Sequence, residues 1–579
     1  MGETFQQSNL FLFSSTIYHV YLFQNQVKAV AIDLHELIHK IKTDQRKRVK
    51  IEDPIVFNVL STNCAVEQST TGLNGQFLHS QLLIDVLLRL KSSEEPKQKL
   101  IKICEEQYKG NESQLVILRE FQKTYSSQKA LWWYSRESFL YKILNKALRV
   151  QNIDLLFLLR FLIHDIYQEL NRNQCQTSIQ VYRGQVLSTD ELKSLQQSID
   201  QFISVNSFFS TTSDRNQAIV FLYESDVSND LHRVLFEIDA NPKAVTNKPF
   251  ANITSFCEHS DEAEVLFMIG AIFRLKSIEQ NDDQIWTVQL TLCGDQEHEL
   301  NRLFKYMKES QGGGNADASL LHFGRVLRQM GKFDLAEKFY LQLLDQTPSN
   351  DSSLCNIYYS LGLVLKDKHD LDSSLHYIQT ALQIWLDLFP NKYTGICNCY
   401  NVLGSIHQRN RDYEMALLCY QQGMELLKQN KDTDSLTMAH FYSNIAVIYE
   451  EQNKYSDALD FNEKALNIRK KLLPSNHRDI GLSHNNIGNI YSSLGDYNSA
   501  LKHHCQGLNI RIQSLPSNHP HVAQSYRNIG LTYEELGDRH KALEHLEKAA
   551  AIYRQILPVG HKDRVAVRKD IKYVSSNLK

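Results

Sequence analysis

The sequence predicts a multidomain protein in which an α+β region, built from a helical lobe and a β core, precedes an all-α solenoid. Three observations predict it. Apolar residues recur at helical spacing from about Phe77 to Arg172, strand-length apolar runs follow Gln174, and the C-terminal half repeats itself every 42 residues. A chain of 579 residues is also too long for one compact domain, since roughly 150 residues per domain is usual.

Composition excludes several classes of protein. The chain is 42% hydrophobic and 22% charged with a formal net charge of -3, so no basic excess indicates a nucleic-acid partner. No apolar stretch reaches the ~18 residues of a membrane helix, and the first residues lack the basic flank and cleavage site of a secretory signal. We therefore expect a cytoplasmic protein without membrane or nucleic-acid partners, whose ten scattered cysteines are reduced.

Changes in pattern along the chain set the expected boundaries, and the clearest is the triplet Gly312, Gly313 and Gly314. The expected units are an N-terminal α/β segment without an assigned role (1–75), a helical lobe (76–173) and β core (174–300) forming one domain (76–300), a Gly-rich linker (301–315), about six repeats (316–565) and a C-terminal tail (566–579).

Apolar runs of strand length define the β core. The expected strands are Ile179–Val181, Phe202–Phe209, Val234–Ile238, Glu264–Met268, Phe273–Ile278 and Ile285–Leu292, with helices at Asp190–Ile199 and Arg215–Glu224.

The solenoid prediction rests on repetition within the chain. An apolar residue followed by a small one recurs every 42 residues, and a second small residue follows each pair at a fixed offset; the pairs begin at Leu361, Leu403, Ile445, Ile487 and Ile529. The connector Leu-Pro-Ser-Asn-His at 473–477 returns at 515–519. Two helices per repeat, crossing at small residues, resemble the tetratricopeptide repeats of kinesin light chains, whose family implies a peptide or protein ligand in the concave groove.

No metal site is expected. The cysteine spacing matches no zinc motif, and His503, His504 and Cys505 are adjacent on a helix, so their side chains point in different directions.

Three short pieces of the β core carry the candidate chemistry. In the first, Arg183 ends an apolar run and Gly184 follows at once. A guanidinium fixed there can bind a phosphate or a ribose, and a glycine lets a ligand approach the backbone. The alternative is a strand-end arginine that reaches only water.

The second piece is Ser210-Thr211-Thr212, which opens off an aromatic run. Hydroxyls can orient a carboxylate and contact a ribose together. Alone, such a stretch is more often a turn or a helix cap. The third piece is Glu262-Ala263-Glu264, whose two carboxylates share a face if the strand begins by Glu262. The alternative is a solvated acidic strand edge.

Arginine, then a Ser-Thr stretch, then Glu-x-Glu, in this order, resembles the arginine-specific mono-ADP-ribosyltransferases of the R-S-E class. The resemblance implies NAD or NADP as co-substrate, nicotinamide as leaving group and a protein arginine as acceptor. It assigns Glu264 to the ribosyl cation and Glu262 to the proton of the acceptor. Ser210 then orients Glu264.

The same resemblance places Arg183, Gly184 and Thr211 with Ser210 and Glu264 around the dinucleotide, and gives Phe256 a contact with the acceptor. Two departures stand out, since Thr212 replaces the third serine of the family pattern and Ile269 stands near a usual proline. The leading hypothesis is a protein-arginine ADP-ribosyltransferase whose repeats recruit partners. Its alternatives are an adaptor with an inactive transferase-like domain, or an NAD glycohydrolase.

Overall fold

The computed structural model of this protein divides into a helical lobe, a β core and a repeat array. It describes residues 19–23, 26–31, 57–60, 73–91, 94–136, 138–224, 230–244, 248–256, 263–294, 301–310, 318–349, 351–557 and 560–577. Within these ranges, no helix has both the length and the apolar character of a membrane span.

Six helices make the helical lobe, as the apolar spacing predicted. Three of them begin at side-chain caps, because Asn111, Ser138 and Asn152 each accept a hydrogen bond from a backbone N–H in the first turn. Phe121 and Trp133 are fully buried and meet edge to face at the centre of the lobe. The helices are α1 (Leu73–Arg89), α2 (Glu94–Gln107), α3 (Glu112–Thr124), α4 (Ala130–Ser135), α5 (Phe139–Arg149) and α6 (Ile153–Arg172).

The β core is a nine-stranded sheet with the order β3-β5-β10-β11-β7-β4-β6-β9-β8, in which β11 and β7 are parallel and all other neighbours are antiparallel. A separate hairpin is formed by β1 (His19–Phe23) and β2 (Gln26–Ala31). The sheet strands are β3 (Phe57–Leu60), β4 (Ile179–Ser188), β5 (Phe202–Val205), β6 (Phe209–Thr212), β7 (Leu231–Ala240), β8 (Phe250–Asn252), β9 (Glu264–Phe267), β10 (Ile272–Gln280) and β11 (Trp286–Cys293). Two helices connect them, α7 (Thr189–Gln196) and α8 (Arg215–Glu224).

The structure confirms the expected strands and helices of the core, with three differences. One is the short strand β8, which pairs with β9 and was not among the expected strands. The run Phe202–Phe209, expected as one strand, is broken into β5 and β6, because β5 pairs with β10 while β6 pairs with β9 on the other side of the sheet. In addition β3, from the segment 1–75, extends the sheet beyond β5. The N-terminal segment therefore contributes an edge strand to the core.

The repeat array consists of antiparallel helix pairs, and the small residues mark the helix crossings. A Cβ added at Gly404 would lie 2.3 Å from the Tyr420 ring, and Ala416 is fully buried. The six pairs are α10 (Leu320–Gln329) and α11 (Phe333–Gln346), α12 (Leu354–Asp367) and α13 (Leu371–Leu388), α14 (Tyr393–Arg409) and α15 (Tyr413–Gln429), α16 (Leu436–Glu451) and α17 (Tyr455–Leu472), α18 (Arg478–Ser493) and α19 (Tyr497–Ser514), and α20 (Pro520–Glu535) and α21 (Arg539–Ile556).

Two segments outside the expected repeats are also helical. Within the expected linker, α9 (Asn301–Ser310) precedes the array, while the three glycines lie outside the described residues. The expected tail carries most of α22 (Lys562–Ser576), which packs on α21 as a further half repeat.

The repeated connectors end in histidines that cap the next helix. His477, His519 and His561 each accept a hydrogen bond at Nδ1 from the backbone N–H two residues later. The connector thus provides an N-cap for α18, α20 and α22.

The same three histidines meet the beginning of the array, which closes the superhelix on itself. Tyr306 of α9 lies edge to face on His477, a Cβ added at Gly331 would lie 3.5 Å from His519, and the ring centroids of His369 and His561 are 5.5 Å apart. The first pair joins α9 to the fifth repeat, the second joins the first repeat to the sixth, and the third joins the second repeat to α22. We call these three contacts the seam.

The helical lobe and the first repeat share one hydrophobic core. Phe157 of α6 packs against Phe323 and Phe339 of the first repeat, with ring centroids 5.6 and 4.7 Å apart. Lys338 also reaches Asp154, with 2.7 Å between Nζ and Oδ1. The lobe and the array are therefore joined by packed side chains in addition to the chain itself.

Candidate functional site

Three side chains predicted from separate pieces of sequence come together on the adjacent strands β4, β6 and β9. Ser210 of β6 donates a hydrogen bond from Oγ to Glu264 Oε1 at 2.6 Å. Arg183 of β4 donates from Nη1 to the carbonyl oxygen of Ser210, also at 2.6 Å. Glu264 is the first residue of β9, which pairs with β6. Because the chain breaks between β5 and β6, β6 can lie between β4 and β9, and the three residues become neighbours.

Strand register explains the contact between Ser210 and Glu264. β6 and β9 are antiparallel, with Ser210 opposite Leu266 and Thr212 opposite Glu264. Ser210 and Glu264 are therefore diagonal neighbours on one face, within reach of a short side-chain bond. A hydrogen bond from a hydroxyl to an ionised carboxylate is among the stronger kinds, so it fixes the orientation of this carboxylate.

A second residue on β4 holds the arginine. Gln185 lies two positions after Arg183, on the same face of the strand, and its Oε1 accepts a hydrogen bond from Arg183 Nε at 3.1 Å. Gln185 is fully buried among the apolar residues of the sheet, and its Nε2 has no partner among the described residues. A buried amide with an unpaired donor lowers the stability of the fold. The hydrogen bond between Gln185 and the Arg183 guanidinium therefore gives a reason for a glutamine at this position.

Tyr134 extends the site into the helical lobe. Its ring lies 5.1 Å from that of Phe208, which precedes β6, and its hydroxyl is 3.3 Å from Asn145 Oδ1. Complete burial raises the pKa of Tyr134 well above its usual value, and the negative charge of Glu264 acts in the same direction. Tyr134 is therefore a neutral phenol on the lobe side of the site.

Gly184 has a packing role that the sequence did not indicate. A Cβ at this position would lie 2.3 Å from the carbonyl oxygen of Ala218 and 2.9 Å from Leu222, so only glycine lets α8 pack directly on β4. The side-chain position of Gly184 lies on the opposite face of β4 from the Arg183 side chain, since successive side chains of a strand point to opposite faces. The expected approach of a ligand to this glycine stays a prediction.

The two threonines after Ser210 have different partners. Thr211 is buried and its hydroxyl donates to the carbonyl oxygen of Val265 at 2.8 Å, so the structure places it within the sheet rather than beside Glu264. Thr212 donates to Gln217 Oε1 at 2.8 Å. The expected contact of Thr211 with a dinucleotide stays a prediction.

The acceptor side of the predicted site is described only in part. Glu262 lies outside the described residues, so its role as a base stays a prediction. Phe256 ends a short 3-10 turn, Thr254–Phe256, and packs half-buried against the cluster of the helical lobe. It is next to the segment that leads to Glu262 and remains a candidate for a contact with the acceptor.

The sequence alone predicted no role in the site for Gln185 or for Tyr134. Gln185 follows the Arg-Gly pair, and its spacing of two from Arg183 on a strand was the available signal. Tyr134 could not be placed from its local pattern, because the Trp132-Trp133-Tyr134 cluster is equally typical of a helical core. Its position depends on how the lobe packs on the sheet.

Family models match the repeat array. Models described as tetratricopeptide repeat match residues 319–353, 353–429, 434–513 and 479–555. The C-terminal array consists of tetratricopeptide repeats. No curated protein matches the chain in sequence.

Each of the solved structures compared resembles less than half of the chain. BtubC from P. vanneervenii has a TM-score of 0.31 and 20% identity over 40% of this chain and 92% of its own. A putative kinesin light chain from Podosopora anserina, with nearly identical repeats, has a TM-score of 0.27 and 21% identity over 31% and 84%. Vis toxin, an ADP-ribosyltransferase from Vibrio splendidus, has a TM-score of 0.22 and 22% identity over 36% and 89%. Likenesses at these TM-scores decide nothing about function.

Proposed function

We propose that the protein is an NAD-dependent mono-ADP-ribosyltransferase that modifies arginine side chains of partner proteins. The observation that carries the proposal is the linked set Arg183, Ser210 and Glu264, in which a serine fixes a carboxylate and an arginine is tied to that serine. The array supplies protein recruitment.

The chemistry asks for a carboxylate that is fixed before the reaction. The bond between ribose C1′ and the nicotinamide nitrogen breaks, nicotinamide leaves with the bonding electrons, and positive charge develops on the ribosyl group. A carboxylate held beside this charge stabilises the transition state, and a preoriented group loses no energy to reorientation. Glu264 has this role, and Ser210 supplies the orientation.

The acceptor guanidinium forms the new bond to C1′ through one nitrogen and must release a proton. It is fully protonated at neutral pH, so a base is needed near the attacking nitrogen. We assign that base to Glu262, two residues before Glu264, on the sequence resemblance. The products are ADP-ribosyl-arginine, nicotinamide and a proton.

The residues present fit a dinucleotide by their charge. NAD carries a pyrophosphate and a positively charged nicotinamide-ribose group, while the site places a half-buried arginine beside a carboxylate. A guanidinium suits phosphate or ribose oxygens through charge-assisted bonds. Arg183 would bind the phosphate or ribose oxygens of NAD, and Gln185 would hold the guanidinium of Arg183 in place.

A direct assay tests the proposal. The full-length protein is incubated with NAD labelled in the adenylate part and with an arginine-rich acceptor, and both protein labelling and nicotinamide release are followed. Wild type should give both, and Glu264→Gln neither. The matched control is Glu279→Gln, which neutralises an exposed glutamate at the end of β10.

The outcomes separate the alternatives. Nicotinamide release without labelling of any acceptor would identify an NAD glycohydrolase, which passes the ribosyl group to water. Absence of both products, in wild-type protein that is folded, would leave a tetratricopeptide adaptor with an inactive domain. Equal activity of wild type and Glu264→Gln would remove Glu264 from the mechanism.

A further inference from the structure

The third seam contact differs from the other two in its chemistry. At the first, a tyrosine edge packs on His477, and at the second, a glycine packs on His519. At the third, His369 from the turn after α12 faces His561, the cap of α22, and Asp563 stands beside them. One possible ligand atom from each of these three residues lies within 4.8 Å of the others.

Two imidazoles and one carboxylate form a donor set that suits zinc and similar transition-metal ions. Within the described part of the chain, this is the one group of three such side chains that comes close enough to share an ion. We propose that His369, His561 and Asp563 bind a zinc-type divalent ion that joins the turn after α12 to the start of α22. The fourth coordination position would be left to water.

The ring nitrogens make only long hydrogen bonds that an ion can replace. Arg409 Nη1 lies 3.3 Å from His369 Nδ1, and the Asp563 N–H donates to His561 Nδ1 at 3.3 Å, both beyond the usual range of about 2.7–3.2 Å. Arg409 keeps a shorter bond of 2.8 Å to the carbonyl oxygen of Lys366. Binding of an ion would therefore break only long hydrogen bonds, and Arg409 would keep its bond to the carbonyl oxygen of Lys366.

Nearby positive charge determines which ions can bind. Arg409 and Lys562 both act on His369 and oppose any cation. Attraction by charge is therefore weak, and binding has to come from the nitrogen ligands. Hard ions such as Mg²⁺ and Ca²⁺ prefer oxygen, so they are not expected to bind. We expect a site selective for zinc over these ions.

Sequence spacing could not reveal this site. His369 and His561 are separated by 192 positions, and they meet only because the superhelix brings the second repeat onto the start of α22. The ion would therefore act on closure of the superhelix, independently of the transferase proposal.

Zinc titration of metal-free, full-length protein tests the proposal. Competition with a chromophoric chelator should show a site that His369→Asn and His561→Asn each weaken roughly tenfold or more. Asparagine is chosen because it tolerates the left-handed backbone at 369, where φ is 66°, and supplies a capping oxygen at 561. His540→Ala, at an exposed histidine of the sixth repeat, is the control and should bind like wild type.

A structural readout accompanies the titration. Zinc should slow amide hydrogen exchange at the start of α22 in wild type and leave it unchanged in His369→Asn, which alters the opposite side of the seam. Equal zinc affinity in wild type and both variants would assign any bound zinc to other groups and overturn the proposal. Absence of zinc binding by folded wild-type protein would overturn it as well.

Discussion

The β core and the repeat array differ in how far apart along the chain their decisive contacts lie. In the core, the set Arg183, Ser210 and Glu264 joins three strands, and the hydrogen-bonded partners are 27 and 54 positions apart in the sequence. In the array, most packing joins a helix to its neighbour, and the seam connects repeats that lie far apart along the chain. Local disturbance should therefore stay local in the array, while in the core it should reach the site.

The largest expected effect is a loss of catalysis in the β core. Glu264→Gln should reduce nicotinamide release by about a hundredfold or more, because a preoriented charge at the reacting centre is lost. Unfolding should change little, since Glu264 is half-buried at the start of β9. Steady-state rates and thermal unfolding measured on the same sample check both statements, and a collapse of the unfolding midpoint would contradict the second.

The next largest effect is that of acid, which should destabilise the array at a higher pH than the β core. Burial lowers the pKa of His477, His484 and His504 in the array from 6.5 to about 4. These histidines bind protons more readily when unfolded, so the stability they contribute is present above pH 6.5 and is lost as the pH falls toward 4. The ceiling is about 3 kcal/mol for each, at ~1.4 kcal/mol per pKa unit.

Thermal unfolding between pH 7 and 4.5 measures this loss, with helical and β signals followed separately. His484→Gln should flatten the pH dependence of the array transition. A β core that loses stability earlier than the array would contradict the comparison.

A matched pair of glycine substitutions tests local against distant response. Gly184→Ala and Gly404→Ala each place a methyl group 2.3 Å from a neighbour, the Ala218 carbonyl oxygen in one case and the Tyr420 ring in the other. Each should destabilise its region by about 1–3 kcal/mol. Only Gly184→Ala should also impair NAD turnover, because β4 carries Arg183.

The control for the glycine pair is Gly560→Ala, since a Cβ there has no neighbour within 4 Å. Its unfolding midpoint and turnover should equal those of wild type. Comparable loss of turnover in Gly404→Ala would show that the array transmits its disturbance to the site.

The smallest expected effect concerns Gln185. Gln185→Met removes the acceptor for Arg183 Nε and also the unpaired buried amide, so stability should stay constant or rise by up to about 1 kcal/mol. KM for NAD should rise several-fold while kcat changes little, because substrate binding is weakened. Unchanged KM in a folded variant would remove Gln185 as a positioning residue.

The sequence was sufficient where the deciding contacts repeat or stay local. The 42-residue step predicted the helix pairs, and apolar runs predicted the strands around Arg183 and Glu264. It was insufficient where one backbone break changes the partners of a strand, as between β5 and β6. Gln185, Tyr134 and the seam depend on packing between segments far apart, and Glu262 stays a prediction.

The seam also constrains the number of repeats. Tyr306 of α9, Gly331 of the first repeat and His369 of the second repeat meet three successive connectors. Loss or gain of a single internal repeat would shift every pair by one connector, so that His369 would face the wrong partner. An ordinary solenoid can gain or lose one repeat at a time. In this array the seam contacts fix the number of repeats, so its length is part of its fold.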